Sequence, residues 1–166
     1  MTTNMTLLIL VSTILFGCGT AQTKTTETQI HNKTFMNIDS TLVTGWYYIL
    51  NEKNGFKRQL DKDTSYYYID PNPIVTAKNI SDFEIYTTKT GEVGLKMTLD
   101  EKGTLAWAEA TEKYITRHLA FIVDNRLLHV PFVNSQIKFG LTALNRDIYS
   151  RKELEAIAKI IEEEKK

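Results

Sequence analysis

Cys18 is the single thiol of the chain, and His31, His118 and His129 are its three imidazoles. A lone thiol can act as a nucleophile or accept an acyl group. It cannot form an internal disulfide or, alone, a thiolate-rich metal site. The histidines fall into no HExxH or paired-ligand pattern, so no metal site is expected. His118 and His129 read as structural or solvent-facing. No GxSxG elbow, P-loop or GxGxxG turn occurs either. Among the 20 Asp and Glu a catalytic pair would leave no linear signature. The expectation is therefore a protein with no catalytic residue and no cofactor, the alternative being a hydrolase of envelope polymers. A second group with chemical potential is aromatic: Trp46, Tyr47 and Tyr48, then Tyr66, Tyr67 and Tyr68. In alternating strands about half of such side chains face away from the core, and exposed Tyr and Trp are favoured at interfaces. These six form a candidate interaction surface, with packing inside the fold as the alternative.

The context of Cys18 narrows its chemistry. Leu7 to Gly17 is an apolar run of signal-peptide length, shorter than the roughly 20 residues of a membrane span. It ends in Leu15-Phe16-Gly17-Cys18, which resembles the lipobox of bacterial lipoproteins, where a small residue precedes a cysteine that is acylated and becomes the mature N-terminus. Met1 to Thr6 carries no Lys or Arg, and Phe16 is bulkier than is usual at its place. The resemblance implies a signal peptide over 1–17 and lipidation at Cys18, the alternative being a cleaved secretory signal with an incidental thiol. Several acyl chains hold a protein at a bilayer where one does so only marginally. In one group of bacterial lipoproteins an acidic cluster after the cysteine accompanies export to the cell surface. None follows Cys18, so the resemblance implies a periplasm-facing domain.

With 166 residues the chain can bury one real core. Lys+Arg and Asp+Glu balance at 20 each, so neither nucleic acid nor an anionic surface is favoured as a partner. Residues 18–41 are polar and Thr-rich without periodicity, and read as a flexible tether with a typical span of about 25 Å. A single domain is expected over 42–166.

Inside it, Gly45 to Leu50 and Ser65 to Ile69 read as strands around a loop containing Asn54-Gly55, and Asp70-Pro71-Asn72-Pro73 as a sharp break. Phe83 to Thr87 and Val93 to Leu99 suggest a hairpin. Trp107, Ala110, Thr111 and Tyr114 recur at helical spacing behind Asp100, a plausible N-cap. His118 to Val123 and Leu127 to Val130 flank the turn-prone Asp124-Asn125-Arg126, and an apolar stretch around Ile137 to Leu144 is a further candidate strand. Ser150 with Glu153 matches a capping box for a last helix, whose stripe is Leu154, Ile157, Ala158 and Ile161. The order suits an α+β sandwich with two helices on one face of an antiparallel sheet.

From about Pro73 to Ile161 the residues resemble the head subdomain in the first periplasmic domain of SecD and SecDF, accessory subunits of the protein-export translocase. The resemblance rests on Pro73 to Ile80, on Val93 to Leu99, and on Gly103, Trp107, Ala108, Glu109 and Thr111. It is strongest from Leu119 to Val133, followed by Ile137 and Gly140 without a gap. It implies a ferredoxin-like sandwich, here preceded by an N-terminal β-rich segment. Where the family has a Gly-rich stretch this chain has Leu141 to Arg146, and nothing in it supplies the transmembrane helices that couple proton flow to protein movement. The combined expectation is a non-enzymatic, lipid-anchored binding module of the cell envelope. It would meet the membrane through its N-terminal lipid and engage an envelope protein or polypeptide by a sheet edge or aromatic surface. A protective lipoprotein that blocks a toxin or hydrolase is the alternative.

Overall fold

The computed structural model describes residues 41–50 and 54–166. The signal segment, Cys18, His31 and all of the tether but Thr41 lie outside the described residues. The strands are β1 (Gly45–Leu50), β2 (Phe56–Gln59), β3 (Tyr66–Thr76), β4 (Ile80–Thr87), β5 (Val93–Leu99), β6 (Leu119–Val123), β7 (Arg126–His129) and β8 (Leu141–Leu144). The helices are α1 (Glu101–Lys113), between β5 and β6, and α2 (Arg151–Glu164), after β8.

Both helices begin where their side chains satisfy the free N–H groups of the first turn. Asp100 Oδ1 accepts from Gly103 N at 2.6 Å. Ser150 and Glu153 form the reciprocal box, with Ser150 N donating to Glu153 Oε2 at 2.8 Å. Ser150→Ala should lower stability by about 1 kcal/mol, read as a fall in the midpoint of a urea melt of the full chain. No change would mean that Lys62, whose ammonium also bonds Glu153 at 2.6 Å, fixes the helix start without the serine.

The strands form two antiparallel sheets, β2-β3-β1-β6-β7 and β4-β5-β8, where one sheet was expected. The division falls at a 3-10 turn, Ala77–Asn79, which carries the chain from β3 in the first sheet to β4 in the second. The N-terminal β-rich segment is also no preface to the domain: β1 lies between β3 and β6, at the centre of the larger sheet. Nor does Asp70-Pro71-Asn72-Pro73 break the chain, since β3 runs through it. Opposite β1, Tyr47 pairs with Pro73 and Ile49 with Ile69, so Asp70, Pro71 and Asn72 together face Tyr48. A bulge absorbs the prolines, which have no N–H to give to a ladder. Asp70 Oδ1 closes it by accepting from Asn72 N at 2.8 Å.

Trp46 and Val75 of the first sheet, Leu95, Met97 and Leu144 of the second, Trp107 of α1 and Leu154, Ile157 and Ile161 of α2 share one core. The opposite face of the larger sheet carries Tyr47, Ile69, Ala120, Ile122 and Leu127, gathered with Leu42 and Leu60 in a second apolar cluster. That face is buried because the sheet curls until its edges meet. Leu60, just past β2, bridges to Leu127 of β7, and Asp61 N donates to Leu127 O at 2.8 Å. Asp61 secures the seam: its carboxylate accepts from Arg126 at 3.0 Å and from the Tyr149 hydroxyl at 2.9 Å. Burial and that carboxylate raise the Tyr149 pKa, which keeps the phenol a donor.

The β6–β7 turn is Asp124-Asn125, both at positive φ (47° and 60°), the pairing a two-residue hairpin of right-handed twist requires. Asn125 Oδ1 accepts from Leu42 N at 3.0 Å, and Glu164 accepts from Thr44 N at 3.0 Å and Thr44 Oγ1 at 2.6 Å. The chain leading into β1 is thereby held against this turn and the end of α2.

Candidate functional site

The six aromatic residues do not make one surface. Trp46 and Tyr47 are 1% and 0% exposed, in the two different cores, because neighbours in β1 point to opposite faces and both faces are covered. For these two the interaction-surface expectation is corrected. Tyr47 donates to Val43 O at 2.7 Å, and burial, with Glu164 adding to it, pushes its phenol up to about 12. Tyr48 is half-buried with its ring 4.4 Å from that of Tyr114. Tyr67 packs partly into the second cluster, and Tyr68 is half-buried. Tyr66 alone is well exposed, at 54%, with the Lys57 ammonium 4.4 Å from its ring centre.

A cleft of about 380 Å³ gathers residues that the sequence pattern did not connect: Trp46, Trp107, His129, Phe132, Leu141 and Ala143. The Trp46 and Trp107 rings lie 4.9 Å apart, and the His129 ring stands edge-on to Trp46 at 6.3 Å. Burial, reinforced by Arg146, lowers the His129 pKa to about 4 against the opposing bond to Asn145. The imidazole is thus neutral at pH 7 and poorly matched to proton transfer there. Lys96 reaches the wall but is paired with Glu84. The lining therefore mixes aromatic and apolar side chains with uncharged polar ones such as Asn134, Ser135 and Asn145, and is close to neutral. Phe132 is 48% exposed, and its ring meets that of His118 edge-on at 5.2 Å.

A wider depression of about 580 Å³ is lined by Ile49, Asn54, Tyr67, Tyr114, Arg117 and His118. Among the described residues no three of His, Cys, Asp and Glu come together as a metal site. No helix among them is long and apolar enough to cross a membrane.

The cleft lies between the open edge of β8 and the segment Pro131 to Val133, which bridges to His118. Leu99 N donates to Gly140 O at 2.8 Å, which makes Leu99 and Gly140 a bonded pair of the β5–β8 ladder. With Met97 opposite Thr142 and Leu95 opposite Leu144, alternation turns the N–H and C=O of Leu141 and Ala143 away from β5. β8 has no neighbour on that side. The Leu141 carbonyl is taken by Trp107 Nε1 at 3.2 Å, which leaves the Leu141 amide and both groups of Ala143. Across the cleft, Pro131 O accepts from Leu119 N, and Val133 bonds Thr116 and Arg117. The same alternation turns the Phe132 backbone outward. Gly140, just before β8, has φ 62°, and a Cβ there would lie 2.0 Å from Thr104 Oγ1. Only glycine fits both the conformation and the space.

Two antiparallel sheets and two helices in a shared core define a mixed α/β module with this cleft on its surface. The family model of the SecDF P1 head subdomain matches residues 52–156, well over half of the chain, and the chain belongs to that family. The match begins upstream of Pro73, so it takes in β2 and all of β3. Over 87 residues the chain is 25% identical to protein translocase subunit SecD of Rhodothermus marinus, a match covering 52% of this chain and 14% of that protein. The chain thus corresponds to only a small part of that relative. Among solved structures it is similar to SecDF in its super-membrane-facing form, with a TM-score of 0.57 and 16% identity over 72% of this chain and 18% of the other. It is likewise similar to a structure of SecDF described as a membrane component that enhances protein export, with a TM-score of 0.55 and 16% identity over 72% and 62%. At such identities the shared property is the fold.

Proposed function

We propose that this chain is a non-catalytic module of the cell envelope, anchored by lipid at Cys18 and facing the periplasm, that engages polypeptides in connection with protein export. One observation carries the reading: a nearly neutral cleft, with exposed Leu141 and Phe132, beside the open edge of β8, in a chain of the SecDF P1 head family. An extended polypeptide offers both apolar side chains and backbone groups. The translocase subunit and the export-enhancing component to which the chain is similar support the export context, and the lipobox-like Leu15-Phe16-Gly17-Cys18 supports the anchor.

Two measurements test this. In cells producing the full-length precursor, labelled palmitate should enter the wild-type chain and not Cys18→Ser, and the variant should leave the detergent phase of an envelope extract. An unlabelled wild-type chain would remove the anchor from the reading. Fluorescence anisotropy should then show the full chain binding a permanently unfolded protein, such as reduced and carboxymethylated lactalbumin, and not the folded form. Equal behaviour toward both forms would remove polypeptide engagement.

A further inference from the structure

We infer that polypeptide enters the cleft as an added strand on β8, its backbone bonding the Leu141 N–H and both groups of Ala143 while one apolar side chain lies against Leu141 and Phe132. The inference rests on the proposed engagement of polypeptide and specifies how that engagement is made. Three observations select this occupant. First, β8 presents outward the Leu141 N–H and, two residues on, both the N–H and C=O of Ala143, groups that an extended peptide backbone complements and an apolar small molecule does not. The Trp107 bond caps the Leu141 carbonyl and so stops the ladder at that end.

Second, two large apolar side chains of the cleft are exposed. Leu141 is itself 45% exposed, and Phe132 stands across the cleft with its ring half in solvent. A strand laid on an edge places alternate side chains on either face, so one side chain in two can enter the pocket. The near-neutral lining selects an uncharged one, because a charge would be desolvated there without a partner. Third, Trp46 Nε1, on a residue that is almost wholly buried and lines the cleft, is the one buried side-chain N or O without a hydrogen-bond partner among the described residues. A guest with carbonyl oxygens supplies the kind of acceptor that the protein itself withholds.

Edge strands of this kind are usually blocked by proline, charge or a covering element. β8, Leu-Thr-Ala-Leu, contains neither proline nor charge, and the Trp107 indole reaches its outer side at the Leu141 carbonyl, leaving Ala143 open. The omission suits a strand that must accept a partner.

The test uses the full chain and a short fluorescein-labelled peptide alternating threonine and valine about a central phenylalanine, with two N-methylated forms, each blocking one alternate set of amides. We expect the parent peptide to bind, one methylated form to bind as well as the parent, and the other to bind about tenfold more weakly or worse, the loss of one or two ladder bonds. Ala143→Pro removes only an outward N–H, so the β5 pairing survives. It should weaken peptide binding by a similar factor, while Ala143→Ser, which keeps the N–H, should bind as the wild type does. Slowed hydrogen exchange at the Ala143 amide on adding peptide gives the same answer with no substitution. Equal binding of both methylated forms together with unchanged Ala143 exchange overturns strand addition and leaves polypeptide engagement standing. If neither this peptide nor the unfolded protein binds, both fall.

Discussion

Between pH 7 and pH 5 the full chain should lose about 2 kcal/mol of stability through His129 alone, the free-energy equivalent of titrating a group whose pKa falls from about 6.5 unfolded to about 4 folded. The sign follows from the neutral form being the one that folds. Between the two pKa values the unfolded chain binds a proton that the folded chain refuses, so stability is full above the unfolded value and drains as pH falls. Several groups face the imidazole: Arg146 from the loop before α2, Asn145 beside it, and the Trp46 ring edge-on. Of these, Arg146 carries charge, and its sign also opposes protonation. The window separates this effect from the carboxylates. Glu153 is held down to about 2, mainly by its bond to Lys62 and then by the Ser150 cap, so its contribution is lost only as pH falls below the ordinary glutamate range. Urea melts of the wild type and His129→Gln at pH 7 and pH 5 give the answer. The variant should start less stable and change far less over the interval. Parallel slopes would mean that His129 is protonated in the native fold.

What could be read in the sequence was what is decided locally. Ser150 and Glu153 are three residues apart, Asp100 directly precedes a 3.6-residue apolar period, and Asp124-Asn125 is a turn by its own chemistry, so both helices and the β6–β7 hairpin were legible. β2 was not. Phe-Lys-Arg-Gln has little apolar content, and its place at a sheet margin is set by Tyr66 to Ile69 opposite it. The prolines of β3 were misread because a bulge, which depends on the partner strand, makes room for them.

The largest difference concerns the aromatic strands, and it has one cause. Period-two alternation correctly places Trp46 and Tyr47 on opposite faces, but whether the second face is wet depends on Leu60 meeting Leu127, a closure between remote segments that no local pattern encodes. The cleft was hidden for the same reason. Trp46, Trp107, His129 and Leu141 come from β1, α1, β7 and β8, and each looks like an ordinary core or strand residue where it stands in the chain.

Replacing Trp46 separates the volume of its indole from its N–H. Trp46→Ala should cost about 3–5 kcal/mol, because the ring packs at 4.8 Å from Phe121 and 4.9 Å from Trp107 and its loss opens a cavity where both sheets and α1 meet. Trp46→Phe should cost at most about 2 kcal/mol, since a ring remains in that space and the deleted N–H made no hydrogen bond whose loss would count. Trp107 is the control: its Nε1 donates to Leu141 O, so Trp107→Phe deletes a bond as well as volume and leaves a β8 carbonyl uncapped. It should be the costlier of the two phenylalanine variants by about 1 kcal/mol. Urea melts of the full chain at pH 7 measure all three. Equal costs for the two phenylalanine variants would show that the Trp46 N–H is satisfied in solution, by a buried water for example. The free donor would then no longer be part of the case for an acceptor-bearing guest, and the outward edge of β8 would have to carry that case alone.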